Sequence, residues 1–256
     1  MKKKWLALVL GALMVVATGC GQDKKADAPK EEKTVLRVAT SPDFAPFEFL
    51  EGNQIVGFDV DLMNAIGGKM GKEIKFENSS WEGLIPALQA GNVDAVIAGV
   101  AITPERQEQV LFSDPYYQTG LGIFVSKDSG IESLDDLKGK RIAVQMGTLG
   151  QDIAEEVEGA DVRKLSVSAD TFLELRNGTV DAVINHIPVF KYYLKTTGSQ
   201  EMIMVGEPMK SVPDGILVKK GNQALVDEIN KALKEVKDSG EYDVIYEKWF
   251  GEKAPK

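Results

Sequence analysis

Short apolar runs alternate along this chain with stretches in which apolar residues recur every three or four positions. That is the pattern of buried strands set between amphipathic helices. Leu36-Arg-Val-Ala-Thr40, the run from Ala95 to Ile102 and Arg141-Ile-Ala-Val-Gln145 read as strands. Phe58 to Met70 reads as a helix with Leu62, Met63 and Ile66 on one face. Leu149 to Val157 reads as another, and Asn222 to Lys237 as a long amphipathic one that Gly240 ends. Ser133-Leu-Asp-Asp136 has the form of a capping box with Asp in place of the usual Glu or Gln. The alternation predicts an α/β fold of mainly parallel sheets covered by helices.

One motif is used twice. Leu88-Gln-Ala-Gly-Asn-Val-Asp-Ala-Val-Ile97 is echoed by Leu175-Arg-Asn-Gly-Thr-Val-Asp-Ala-Val-Ile184, each a helix end, a glycine stop and a buried strand. A weaker echo links Leu36–Thr40 with Arg141–Gln145. The repetition predicts two related lobes. Ligands of open parallel sheets bind beyond the carboxyl ends of the strands. The repeated strands run into Gly99 and His186, so those residues are expected on opposite walls of one cleft.

The strand from Ala95 stops at Thr103-Pro104, a helix start with Thr as N-cap and Pro at the first helical position. Arg106 then falls in the first turn, where the helix dipole favours anions over cations. An anion held between its guanidinium and the free N–H groups would account for it; an exposed pair with Glu105 is the plainer reading. The turn Gln145-Met-Gly-Thr148 before the next helix is a second place where backbone N–H groups can meet an anion.

The first residues stand apart. Lys2, Lys3 and Lys4 precede an apolar stretch, Trp5 to Ala17, too short to span a bilayer. It ends at Ala17-Thr-Gly-Cys20, which holds the one cysteine of the chain, so no intramolecular disulfide can form. The pattern resembles a bacterial lipoprotein signal with acylation at Cys20, although Ala17 stands where Leu is usual; an ordinary secretory signal is the alternative. Residues 21–33 are charged and lack large apolar side chains, and are expected to be a tether. The formal charge of −9 becomes about −12 once three lysines leave with the signal, which argues against nucleic acid as a partner.

From Thr34 to Glu252 the chain closely resembles the extracellular solute-binding proteins of amino-acid ABC importers. Phe44-Ala-Pro-Phe-Glu-Phe49, Gly57-Phe-Asp-Val-Asp-Leu62, Trp81-Glu-Gly-Leu-Ile-Pro-Ala-Leu88, Thr103-Pro-Glu-Arg106, Phe112-Ser-Asp-Pro-Tyr-Tyr117 and Tyr246-Glu-Lys-Trp-Phe250 carry the resemblance. It implies the two-lobed, type II periplasmic-binding-protein fold with two crossovers and a ligand cleft between the lobes. Lobe one would take residues 34–117 and 214–252, lobe two 122–210, and hinge strands 118–121 and 211–213, behind a signal at 1–19 and a lipidated tether at 20–33. It further implies a monomer that delivers its solute to a membrane permease, with no cofactor; a metal site is not expected with one histidine and one lipidated cysteine.

Carried over by position, Arg106 would pair bidentately with a ligand carboxylate. Phe44 and Trp81 would sandwich the ligand side chain. Thr148 would close on the carboxylate from lobe two, and Gln145, Met146 and Asp43 would face the side chain. Two positions depart from the family pattern. Ala101 stands where a hydroxyl residue is usual. His186, the chain's one histidine, stands where an acidic residue commonly meets the ligand ammonium. Asp43 or the Gly99 carbonyl could replace that acceptor, Asn185 could shift into the role, or His186 could merely fill the wall. The ligand is therefore expected to be a small carboxylate-bearing solute, a polar amino acid or close analogue. An enzyme resembling cyclohexadienyl dehydratase, with His186 as acid or base, is the rival reading. A sensor domain is a third.

Overall fold

The computed structural model describes residues 34–255. The proposed signal, Cys20 and the tether to Lys33 lie outside the described residues. Among the described residues no helix is long and apolar enough to cross a membrane.

Two five-stranded sheets form two lobes. In the first, β1 (Val35–Thr40) pairs in parallel with β5 (Glu73–Asn78) and with β6 (Ala95–Val96). Strand β13 (Leu217–Lys219) runs antiparallel to β6 and to the edge strand β7 (Val110–Phe112). In the second, β9 (Arg141–Gln145) pairs in parallel with β10 (Asp161–Leu165) and β11 (Ala182–His186). There β8 (Tyr117–Ser126) runs antiparallel to β11 and to β12 (Met202–Asp214). The sheets are thus mixed rather than mainly parallel. The chain leaves one lobe by β8 and comes back through β12 to β13, and strands that enter a sheet from the other lobe lie against its parallel core in the opposite sense. A small antiparallel sheet, β2 (Asp43–Phe44), β3 (Glu48–Glu51) and β4 (Gln54–Val56), precedes the first helix.

The helices follow the predicted pattern. Helix α1 (Phe58–Lys69) buries Phe58, Leu62, Met63 and Ile66. Helices α2 (Leu84–Ala90), α3 (Pro104–Gln109), α4 (Leu149–Glu155), α5 (Ser168–Arg176) and α6 (Ile187–Thr197) connect the strands. The long helix α7 (Gln223–Asp238) is capped by the Asn222 side chain and buries Leu225, Val226, Ile229, Leu233 and Val236. Ser133 and Asp136 form a reciprocal capping box, on a short 3₁₀ turn, Leu134–Leu137. Helix α8 (Glu241–Phe250) brings Tyr246 and Phe250 onto Phe58 and Tyr117, with ring centroids 5.1 to 6.0 Å apart. Its Trp249 Nε1 donates to Asp61 at 2.7 Å. The sequence motifs around Phe58, Tyr117 and Phe250 are therefore one aromatic cluster, which seats the C-terminal helix on α1 and the start of the crossover.

The sequence repeat has a physical cause. Arg37 lies in the first half of β1, and its Nε and Nη2 donate to the two oxygens of Asp94 at 3.2 and 2.8 Å. Arg141 opens β9 and meets Asp181 in the same way, at 3.1 and 2.7 Å. In each lobe the arginine's backbone N–H also donates to that carboxylate, and its guanidinium reaches the carbonyl of the glycine after the helix, Gly91 or Gly178. Both glycines have positive φ, 78° and 70°. The repeated Gly-x-Val-Asp thus ties a helix stop to the first strand of its lobe, and the partner arginine holds both aspartates below the usual carboxylate range. These pairs are partly exposed, so each bidentate bridge is expected to contribute about 1 kcal/mol. We expect Asp94→Asn to lower the unfolding free energy measured in urea by that amount, and the midpoint with it, without changing ligand affinity. An unchanged midpoint would reduce the repeat to a folding relic.

Candidate functional site

The carboxyl ends of β6 and β11 face each other across a cleft between the sheets, as the repeat implies. Phe44, Trp81, Gly99, Ala101 and Arg106 line it from the first lobe. Gln145, Thr148, Gly150, Ile184 and His186 line it from the second, and Leu121 from the crossover strand β8. The lobes are closed on one another. The space open to the centre of a water molecule is about 20 Å³, on the order of a single water.

Arg106 is placed by its helix cap. Thr103 has extended backbone and its Oγ1 accepts from the Arg106 N–H at 3.3 Å, with Pro104 at the first helical position. The guanidinium folds back over that turn into the cleft. One Nη donates to the Ala101 carbonyl at 2.9 Å, and the other crosses to the Gly147 carbonyl at 3.1 Å. Burial pulls its pKa down, and Asp152, Asp214 and Glu105 oppose that; an arginine stays protonated through such a shift. Trp81 starts a 3₁₀ turn, Trp81–Gly83, with the guanidinium 5.5 Å from its ring centroid. Its Nε1 donates to the same Gly147 carbonyl at 3.3 Å. One carbonyl oxygen of the second lobe is thus shared by the two first-lobe donors that face an acceptor there.

His186 ends β11 and is buried, its ring set edge-on to Phe44 with centroids 5.0 Å apart. Desolvation, then the charge of Arg106, lower its pKa to about 4. It is therefore neutral at pH 7, and its Nδ1 has no hydrogen-bond partner. Asn185 is engaged within its own lobe. Its amide donates to Ser168 Oγ at 2.9 Å and its Oδ1 accepts from the His186 N–H at 2.7 Å. It is not free to take over the role considered for His186.

Two expected residues lie off the cleft lining. Gln145, the last residue of β9, is 4% exposed and lines the cleft, while Met146, in the turn just after it, is 38% exposed and does not. Asp43 turns from the cavity to bridge the lobes. Its Oδ2 accepts from the Ser168 N–H at 3.3 Å and its Oδ1 from Ser41 Oγ at 3.3 Å. Burial raises its pKa to about 6. Thr148 lines the cleft, but its hydroxyl donates to the Gln145 carbonyl at 2.7 Å. Leu121, Leu149, Gly150 and Ile184 belong to the lining and were not foreseen. Leu121 could have been found from the crossover, since β8 must pass the cleft and pairs His186 opposite Leu121.

Arg106 is the one permanently charged residue of the lining, and the lining holds no carboxylate. A cleft of two sheet-based lobes, closed around a buried arginine, suits capture of a small anion-bearing solute. The family model for bacterial extracellular solute-binding proteins, family 3, matches residues 36–252. The chain belongs to this family. The arginine-binding extracellular protein ArtP of Bacillus subtilis is 36% identical over 256 residues, which cover 98% of this chain and 100% of ArtP. An ancestral arginine-binding protein bound to arginine is 46% identical with a TM-score of 0.80, covering 86% of this chain and 99% of that one. An ancestral amino acid-binding protein, AncCDT-1, described as a precursor of cyclohexadienyl dehydratase, is 40% identical with a TM-score of 0.79, over 84% of this chain and 95% of that one. The fold is the type II periplasmic-binding-protein fold. This family member is a solute-binding protein of an amino-acid ABC transporter and not an enzyme.

Proposed function

We propose that this protein captures an amino acid or a close analogue by its α-carboxylate and delivers it to the permease of an ABC importer. One observation carries this reading: the Arg106 guanidinium, braced by Ala101, reaches an acceptor oxygen across the cleft, that of Gly147. A ligand carboxylate entering between the lobes offers two oxygens in that place, which suits the planar guanidinium better than one carbonyl does. Phe44 and Trp81 would hold the ligand side chain between them. Thr148 and the first turn of α4 would meet the carboxylate from the second lobe. His186, neutral, would accept rather than repel. A dehydratase finds less support, because no acidic or basic side chain pairs with the His186 Nδ1.

Entry requires the lobes to part, with residues 118–121 and 211–213 as the hinge. The ligand can favour closure only through contacts it makes in the closed state and not in the open one. Acylation at Cys20 would hold a monomer near its permease, two or more acyl chains being enough for stable anchoring. A thermal-shift panel of the common amino acids, led by L-arginine and L-glutamine, tests the reading. At a ligand concentration one hundred times Kd, stabilisation of about 2.7 kcal/mol is expected. No shift with any amino acid would overturn it.

A further inference from the structure

An ammonium group entering this cleft meets no carboxylate in its wall, and Asp43, the acid at its rim, is already occupied by Ser41 and Ser168. The next acid lies one peptide deeper. Asp59, in the first turn of α1, is fully buried, and its Oδ2 accepts from the Gly99 N–H at 2.9 Å and from Tyr116 Oη at 2.7 Å. Gly99 lines the cleft without a side chain, at φ 54°, and a Cβ there would sit 2.9 Å from the Phe44 ring. Only its backbone separates Asp59 from the ligand space.

We propose that Asp59 is a positioning residue of the ligand site, its buried carboxylate supplying through the Gly99 peptide the negative charge that holds the ligand's ammonium group.

Two other carboxyls share this pocket of the core, Glu48 and Asp214, both fully buried. Three adjacent buried carboxyls cannot all ionise, and the charge settles on the one with donors. No donor reaches either oxygen of Glu48 or of Asp214. Asp59 has the Gly99 and Tyr116 donors. Glu48, whose pKa burial raises well above the ordinary range with Asp59 adding to it, stays the neutral acid beside it. Asp214 is likewise pushed well up by burial, with Asp59 adding to it and Arg106 opposing. One anion therefore sits behind Gly99, held by two donors on its Oδ2. Desolvation raises Asp59 itself to about 6, so it is charged at pH 7.5.

The inference rests on the amino-acid reading above, and the test separates the two. Titration calorimetry would compare L-arginine with 5-guanidinopentanoate, which lacks only the α-ammonium, and L-glutamine with 5-amino-5-oxopentanoate. Asp59→Asn preserves shape and can still accept from Gly99. It is expected to weaken the amino acids by about tenfold, a charge interaction acting across a peptide rather than in direct contact, while the des-amino partners change by less than about threefold. In the wild type, amino-acid affinity falls between pH 7.5 and 5.5 as Asp59 takes up a proton; in Asp59→Asn it stays flat. The groups facing Asp59 are Glu48, Tyr116 and Asp214, and His186, across the cleft, stays neutral through that window. Asp43, which also titrates about 6, is controlled by Asp43→Asn, which keeps the slope. If Asp59→Asn does not fold, Tyr116→Phe removes a donor from Asp59 and moves the midpoint of the affinity profile to higher pH. Equal losses for both members of a pair, or a slope that survives Asp59→Asn, overturns the proposal and leaves the role of Arg106 standing. A wild type that binds the des-amino compounds as well as the amino acids does the same. Binding of none of the four, together with no shift from any amino acid in the thermal panel, overturns both.

Discussion

Replacing Arg106 with alanine is expected to reduce affinity for the carboxylate-bearing ligand at least about a hundredfold, a loss of about 2.7 kcal/mol or more. The guanidinium is the one permanent charge in the lining, and its two Nη groups are aimed at acceptors rather than at solvent, at 2.9 and 3.1 Å. A ligand carboxylate buried without it would be an unpaired charge in a desolvated cleft, which costs several kcal/mol. Arg106→Lys should fall between, since an ammonium keeps the charge but loses the fork that meets two oxygens at once. The same substitutions should barely move folding stability measured without ligand, because the arginine's bonds are to carbonyls at the cleft surface. Titration calorimetry checks the order wild type, lysine, alanine. Near-native affinity in the alanine variant would remove the carboxylate anchor, and with it the reason an arginine sits in the first turn of α3.

Arg106 was legible in the sequence because two local rules conflicted there: a cation at the positive end of a helix dipole, after a Thr-Pro cap. The cap was found as read. The two-lobe organisation was legible because the Val-Asp-Ala-Val-Ile motif recurs, and the site could be placed because both copies end at the cleft. What the repeat did not disclose was its partner. Arg37 and Arg141 stand in the weaker echo, and nothing along the chain says that Asp94 and Asp181 lie against them, since side-chain pairing between strands far apart in sequence depends on sheet order. Asp59 was missed for a different reason. Within Gly57-Phe-Asp-Val-Asp-Leu62 it stands at a helix start, where an acidic residue needs no further explanation. Its spacing to Leu62, Met63 and Ile66 puts it on the buried face of α1, and a carboxylate on an apolar face was the available signal. Met146 differs from Gln145 because β9 ends between them, and the turn that follows leaves Met146 exposed.

That same Gly57 should be the position least tolerant of a methyl group. Its φ of 141° and ψ of 177° belong to glycine alone, and a Cβ there would lie 2.0 Å from the Phe47 carbonyl oxygen, 2.5 Å from its carbon and 2.8 Å from the Glu48 Cα. These are backbone atoms and cannot turn aside. They are held because the Phe58 N–H donates to the Pro46 carbonyl and the Asp59 N–H to the Phe47 carbonyl, each at 2.9 Å, so helix α1 starts pressed against the segment that carries Phe44. Gly57→Ala is expected to cost about 3–5 kcal/mol, in the range of backbone strain plus overpacking. That corresponds to a fall in Tm of about 10 °C for a domain of this size. Gly52→Ala is the control. Its φ of 62° is also left-handed, but nothing lies within 4 Å of the added methyl, so it should lose only about 1 kcal/mol from the backbone conformation. If the two variants melt together, strain alone governs both and the close approach at Gly57 is not rigid. If Gly57→Ala melts far earlier, the variant that remains folded at low temperature should also bind poorly. The helix start that Gly57 admits is what sets Asp59 behind Gly99 and Phe44 across from His186.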